Sequence, residues 1–357
     1  MKVCILGAGI SSLTLAKALV NQNIYVDIIA KKKPHLPEQS RTIGISKSNI
    51  EFFNNYIINI NKISWKLNKI EIFTDNLNKE KLINFENNNK LFSIIKNIKL
   101  FEILKKSLDK NKYFKFVSPS NKTNILKKYS LIINTDYLHS FTKKYFSKKI
   151  IKKYNSFAHT TIITHQKISN NVAVQIFTKN GPLAFLPISN DKTSIVYSVH
   201  KTFFKNNGNL ENLIRKYGDK YKIKKINKIE SYELKSLSLR SYYHKNILAF
   251  GNILHTLHPL AGQGFNMTIR DLKILLEIII NKNSLGLPLD NSISQEFEKK
   301  LKHKNLIFSD GVNFIQEFFN FERKINSDLL SKSVQLLGKS SSVNKLFKTI
   351  ADKGTLI

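Results

Sequence analysis

The sequence predicts an α/β protein in which a parallel-sheet domain is assembled from separated segments, a second sheet domain is inserted into it, and helices close the chain. Three patterns predict this. A strand, a glycine turn, a helix and a second strand open the chain over residues 2–29; strand-like alternation dominates 150–232; and helical spacing of apolar residues prevails from Glu296 onward. A length of 357 residues allows about two domains at roughly 100–200 residues each. The 42% of hydrophobic residues can fill a core, so disorder along the whole chain is excluded.

The elements follow in order. Residues 2–6 read as a short buried strand, and Gly7-Ala8-Gly9-Ile10-Ser11-Ser12 as the turn that leads into a helix through Leu13, Leu15, Ala16, Leu19 and Val20. Asn21-Gln22-Asn23 ends that helix, and residues 24–29 form the second strand. A glycine turn between strand and helix lets bare backbone approach a pyrophosphate and aims the positive helix end at it, as in Rossmann-like domains. Two positions depart from that pattern. Ser12 stands where a third glycine is usual, and Ala30-Lys31 stand where an acid would hold a ribose. Further on, residues 65–85 alternate as strand, 100–108 read as helix, and 131–134 as a strand returning to the first domain. Strands are then expected at 160–164, 172–177, 183–187 and 194–199. The expected division places 1–64, 88–150 and 236–295 in a discontinuous nucleotide-binding domain. Residues 65–87 and 151–235 form the inserted sheet domain, and 296–357 a helical C-terminal region.

Charge narrows the partners. The formal net charge is +33, yet 53 of the 58 basic residues are lysine and only Arg41, Arg215, Arg240, Arg270 and Arg323 are arginine. Base-reading surfaces rely on the arginine fork, and these lysines are scattered among Asn and Ile, as drift in an AT-rich genome would leave them. Nucleic acid is therefore not expected as a partner; attraction to an anionic membrane surface is the functional reading of the charge. A lone cysteine, Cys4, excludes an internal disulfide framework and cysteine-rich metal centres. The first residues run straight into the glycine turn, and 272–280 is broken by Lys273 and Glu277. Neither a signal peptide nor a spanning segment is expected, and the reading is cytoplasmic, with peripheral contact at the inner face of the membrane.

The densest signal is Phe-Gly-Asn-Ile-Leu-His-Thr-Leu-His-Pro-Leu-Ala-Gly-Gln-Gly-Phe-Asn-Met-Thr-Ile-Arg-Asp at 250–271. A strand ends near Gly251, Pro259 stiffens the loop, and Gly262 and Gly264 allow close backbone approach before a helix begins. The helix start points positive charge back at the ligand, which suits a cofactor whose pyrimidine end becomes negative on reduction. His255 and His258 lie three apart, but the loop offers no carboxylate partner and a metal would leave the glycines unexplained, so no metal is expected.

This segment resembles the signature of the ubiquinone-biosynthesis flavin hydroxylases, within the FAD-dependent aromatic monooxygenases. Ser40-Arg41-Thr42-Ile43-Gly44-Ile45-Ser46 is similar to the arginine-bearing flavin segment of that family. Gly181–Pro187 resembles its substrate-domain strand, and Ser309-Asp310-Gly311 with the following helices also fits. The resemblance implies non-covalent FAD and reduction by NAD(P)H or another donor. It also implies a C4a-(hydro)peroxyflavin that hydroxylates the ring of a polyprenylated phenol, a quinone precursor, with O2. Contact with other subunits of ubiquinone biosynthesis is implied as well. By matching position, Gly7, Gly9 and Ser12 line the pyrophosphate and Arg41 lies near the flavin or its phosphates. Asp136 falls where the family has an Asp-Gly motif, Gly251-Asn252 replaces a Gly-Asp pair facing the ribityl chain, and Pro259, Gly262, Gln263, Gly264, Phe265 and Asn266 lie against the isoalloxazine. No catalytic residue is readable. Ser12, Ala30, Tyr137 and Asn252 depart from the family pattern. Two alternatives therefore stand beside the hydroxylase: a degenerate flavoprotein fold serving as a non-catalytic scaffold, and a flavin hydroxylase or reductase for another aromatic or isoprenoid substrate.

Overall fold

The computed structural model describes residues 2–30, 36–77, 80–86, 91–118, 122–205, 209–258, 262–325 and 329–354. Among them the strands form three sheets. The first has six strands in the order Tyr243–His244, Ile247–Ala249, Leu131–Asn134, Lys2–Leu6, Tyr25–Ile29 and Phe114–Val117. Its strands are parallel except for the hairpin at 243–249. Sequence explains the placement: Val3, Cys4, Ile5 and Leu6 are fully buried, as a parallel strand covered on both faces requires. The Ile10–Val20 helix covers this sheet through Leu13, Leu15, Ala16 and Leu19, and the Gln263–Ser284 helix joins the same core through Ile269, Leu272, Leu275 and Ile279.

The large second sheet contains the long strand Lys149–His165, flanked by Lys192–His200 on one side and Glu230–Leu239 on the other. Gly181–Pro187, Val172–Thr178, Lys69–Thr74 and Lys81–Glu86 extend it. Its core is Ile163, Leu183, Phe185, Ile195, Tyr197 and Val199, capped by Ile214 and Tyr221 from the segment 210–221. The stretch read as one alternating run at 65–85 splits. Ser64–Leu67 pairs with Phe92–Lys96 and, through it, with Thr42–Ser46 in a three-stranded sheet, whereas Lys69–Thr74 and Lys81–Glu86 join the large one. The reason lies at the junction. Leu67 and Ile94 are buried against Ala173, and the Trp65 indole donates to the Asn170 carbonyl at 2.6 Å, so the chain changes sheets without exposing either strand end.

Helices Asn291–Ile325, Leu329–Lys339 and Ser341–Lys353 complete the chain. Val312 and Phe319 of the first pack with Leu77, Leu82, Phe177, Leu257 and Met267, closing one face of the large sheet against the helix that starts at Gln263. Among the described residues no helix is long and apolar enough to cross a membrane.

Candidate functional site

Two helix starts and the strand Thr42–Ser46 build the site. The Ile10–Val20 helix begins at Gly9 with no side-chain cap and no acidic residue in its first turn, so its leading N–H groups and positive end are available to an anion. Gly7 has φ +107° and is held where an added Cβ would stand 2.6 Å from the Thr135 hydroxyl and 3.2 Å from the Asp136 nitrogen. Only glycine fits there. Gly9 is the opposite case: a Cβ there would meet nothing within 4 Å, and the residue is exposed. Ser12 is buried, and its hydroxyl lies 2.6 Å from the Thr135 hydroxyl, which itself donates to the Leu6 carbonyl at 2.8 Å. Ser12 therefore turns its side chain inward and locks helix to strand; only its backbone faces the turn.

Asp136 follows the strand Leu131–Asn134, and its carboxylate accepts from the Leu138 nitrogen at 2.9 Å. Tyr137 is not among the residues with positive φ. No glycine is needed at this position, and the exposed ring lies between the ammonium groups of Lys149 and Lys235. Gly251 has φ +67° and brings its α-carbon against the first turn of the helix, 3.3 Å from Ser11 Cβ for an added Cβ. Asn252 beside it is exposed. Gly7, Gly9, Asp136, Gly251 and Asn252 are thus brought together at one helix start, with the backbone of Ser12.

The second start is the Gln263–Ser284 helix, capped by Gly262 at φ +63° with no side-chain cap and no acid in the first turn. Gly262 lies against Gly44, 3.6 Å from its nitrogen for an added Cβ, whereas a Cβ on Gly264 would reach open space. Asn266 is fully buried. Its amide donates to the carbonyls of Gly44 at 2.9 Å and Gly262 at 3.1 Å, and its oxygen accepts from Ser46 N and Asn49 Nδ2, both at 2.9 Å. All four bonding positions of the amide are used inside the protein, so Asn266 fixes the loop rather than offering a group to a ligand. Gln263 is held by Arg270, whose Nη2 donates to Oε1 at 3.2 Å. Burial pulls the Arg270 guanidinium down to about 10, against Asp271 and Asp352, so it stays charged at neutral pH. Phe265 packs on the main core. Pro259 lies outside the described residues.

Arg41 directly precedes the Thr42–Ser46 strand, and its side chain reaches the large sheet. It is exposed, stacks 4.7 Å over the Tyr232 ring and pairs with Glu38 at 3.9 Å. Its neighbours fasten the strand to the large sheet: Ser40 bonds Thr160 at 2.9 Å and reaches Glu230, and Thr42 bonds Ser194 at 2.9 Å.

Sequence reasoning missed several of these partners. Thr135 and Asn49 carry no local signal, and Ser46, though inside the 40–46 segment, has no role legible there, because their spacing from Ser12 and Asn266 is set only by the fold. His255 is paired through Nε2 with the buried Asp271, which also accepts from Asn305 at 3.0 Å. Beside this pair lies a cavity of about 230 Å³ lined by Ile150, Leu239, Leu254, Leu306 and Ser309.

The cradle fits a dinucleotide. Two uncapped helix starts free of acid, and two glycines whose missing side chains leave open space, are what a pyrophosphate and a planar ring need.

No protein-family model matches the chain. Over 162 residues the sequence is 26% identical to the ubiquinone hydroxylase UbiL of Rhodospirillum rubrum, covering 43% of this chain and 38% of that one. Further relatives matched over part of their length are also named as ubiquinone-biosynthesis hydroxylases or monooxygenases. The chain spans about two-fifths of the length of the first curated relatives it matches. In structure it is similar to p-nitrophenol 4-monooxygenase PnpA from Pseudomonas putida, with a TM-score of 0.77 at 10% identity over 98% of this chain and 97% of that one. It is also similar to an HpxO variant from Klebsiella pneumoniae complexed with FAD, with a TM-score of 0.74 at 11% identity over 99% of both chains. The fold is that of the FAD-dependent monooxygenases, and the sequence is similar to the ubiquinone-biosynthesis hydroxylases.

Proposed function

We propose that this protein is an FAD-dependent monooxygenase that hydroxylates the ring of a polyprenylated phenol, a quinone precursor. The pairing of the two uncapped, acid-free helix starts with the open spaces at Gly9 and Gly264 carries the reading. Once bound and reduced by NAD(P)H or another donor, FAD supplies activation of O2 and transfer of one oxygen atom to the ring. The chain's own residues bind, orient and shield. Gly7, Gly9 and the first N–H groups of the Ile10–Val20 helix hold the pyrophosphate, and Ser12 keeps that helix in place from behind. Asp136, Gly251 and Asn252 border the ribityl chain, with Asn252 offering an amide that donates and accepts. Gly262, Gln263 and Gly264 present backbone to the ring, and the helix start there favours the negative charge that reduction brings. Asn266 and Arg270 hold that loop rigid, and Pro259 is assigned to the same loop from the sequence. Arg41 guards the edge nearest the large sheet. That sheet, fastened at Ser40 and Thr42 through Thr160, Glu230 and Ser194, stands over the side from which the ring to be oxidised would enter.

The deciding experiment has two stages. The purified chain is expected to show flavin absorption, or to gain it on adding FAD, and then to incorporate labelled oxygen from O2 into a polyprenylated phenol. A colourless protein that takes up no flavin removes the oxygen chemistry and leaves a scaffold role. A yellow protein that oxidises only other aromatic or isoprenoid compounds keeps the flavin and replaces the substrate.

A further inference from the structure

The Asn291–Ile325 helix carries an apolar stripe on its outer side. Ile307, Phe314 and Phe321 recur every seventh residue and are 73%, 66% and 57% exposed. A 3.6-residue period sets them on one face, over a length of about 21 Å. Phe318 lies along the same line, half-buried, with its ring 6.4 Å from that of Phe314. Continuing toward the helix N-terminus, the face presents His303 and Lys304, both exposed, and Lys300, whose ammonium is held by Glu277 at 3.4 Å and Glu296 at 3.1 Å. Asp310 and Glu317 lie to one flank, and Glu317 is paired with Lys152. Single exposed apolar residues need no explanation, but a row of them along one helix face does.

We infer that this face docks the protein on an anionic lipid bilayer, with Ile307, Phe314 and Phe321 inserted among the acyl chains and Lys304 with its neighbours at the headgroups. Charge selects the occupant. A chain of net charge +33 repels a second copy of itself, so the same stripe is poorly suited to a homodimer, whereas a negative lipid surface attracts it. An amphipathic face with aromatics on one part and basic residues alongside is the form that lies in the interfacial plane. Docking deepens the proposed function, because it would bring the site to a substrate that resides in the membrane; the docking itself does not depend on that chemistry.

The test uses the full chain with vesicles of phosphatidylglycerol and phosphatidylcholine, and with phosphatidylcholine alone. Cosedimentation is expected with the first, weakening as salt rises, and only slight with the second. Phe314→Trp is expected to shift its emission to the blue on adding anionic vesicles. Phe314→Ser and Phe321→Ser are each expected to lower partitioning about tenfold, the amount that follows from leaving a phenyl ring in water. Flavin absorption and turnover of detergent-dispersed substrate serve as a separate readout, which these exposed changes should not move. Loss of turnover with docking intact would sink the proposed reaction and spare this inference. Failure to bind anionic vesicles overturns the inference. So does binding that leaves the emission of the Phe314→Trp variant unchanged, because lysines elsewhere would then be the contact. A concentration-dependent dimer that Phe314→Ser abolishes also overturns it, since a second copy would then cover the stripe.

Discussion

The two glycine-bearing helix starts look alike in sequence and are held in place by different physics. At 7–12 the turn is fixed by packing. Residues Val3 to Leu6 of the strand before it are fully buried, Gly7 is clasped by Thr135 and Asp136, and Ser12 adds one hydroxyl contact behind the helix. At 262–266 it is fixed by polar bonds. One buried amide joins the helix start to the carbonyls of Gly44 and Gly262 and to the donors of Ser46 and Asn49. A packed turn tolerates a small polar change, whereas a polar clamp fails if its centre is removed, because each partner becomes a buried group without a mate.

The largest expected effect therefore falls on the clamp. Asn266→Leu leaves Ser46 N, Asn49 Nδ2 and two carbonyls to find other partners in a dry setting. A loss of roughly 3 kcal/mol or more is expected in chemical denaturation, with flavin binding lost as well. Asn266→Asp should be no milder, since the carboxylate keeps the two acceptor contacts but cannot donate to Gly44 and Gly262. Ser12→Ala, by contrast, removes one internal hydrogen bond and is expected to cost about 1 kcal/mol. Equal losses at the two positions would show that the contrast between clamp and packed turn is false.

Glycine substitutions sharpen the same contrast by separating fold from ligand. Gly7→Ala forces a Cβ to 2.6 Å from the Thr135 hydroxyl at a φ of +107°. It is expected to destabilise the apoprotein by about 1–3 kcal/mol. Gly264→Ala places its methyl in open space inside a helix. The apoprotein should gain up to about 1 kcal/mol, since alanine is the better helix former. FAD affinity should fall all the same, and Gly264→Val should abolish it, because the proposed assignment puts the ring in that open space. Melting curves with and without FAD read both quantities. A Gly264 variant that binds FAD normally would remove this loop from the cofactor site.

How much of this was legible in the sequence follows from the range of the forces. The strand–turn–helix opening was readable because its signals are local: a run of apolar residues, two glycines, then helical spacing. The loop at 250–266 was readable for the same reason. The clamp was not, since Asn266 and its partners at 44, 46 and 49 are some 220 residues apart and meet only after the sheets assemble. The sequence also could not show that Ser12 faces inward, that Arg41 stacks on Tyr232, or that the run at 65–85 divides between two sheets at Leu67. Each of these depends on which distant surface a strand finds, and periodicity does not encode that choice.

Ala30 offers a gain rather than a loss. It directly follows the Tyr25–Ile29 strand and is half-buried. Ala30→Glu supplies a charged acceptor for ribose hydroxyls. Hydrogen bonds to charged groups contribute about 1.5–3 kcal/mol, so FAD binding is expected to tighten about tenfold or more. An unchanged dissociation constant by titration would show that this strand end does not face the ribose. The packed turn would then hold only the pyrophosphate.

The smallest effect is expected at Tyr137, where the sequence departs from an Asp-Gly pair. A glycine would matter there only if the backbone required positive φ, and it does not. The tyrosine ring instead lies between Lys149 and Lys235, with centroid distances of 4.9 and 5.4 Å to their ammonium groups. Exposed contacts of this kind contribute about 0.5–1 kcal/mol, and glycine also frees the unfolded chain. Tyr137→Gly should therefore lower stability by about 1 kcal/mol and leave FAD affinity within about twofold. If restoring the glycine instead raised FAD affinity strongly, Asp136 would be held away from its working position by the tyrosine. The first helix start would then be the compromised half of the site, reversing the order of robustness drawn between the two.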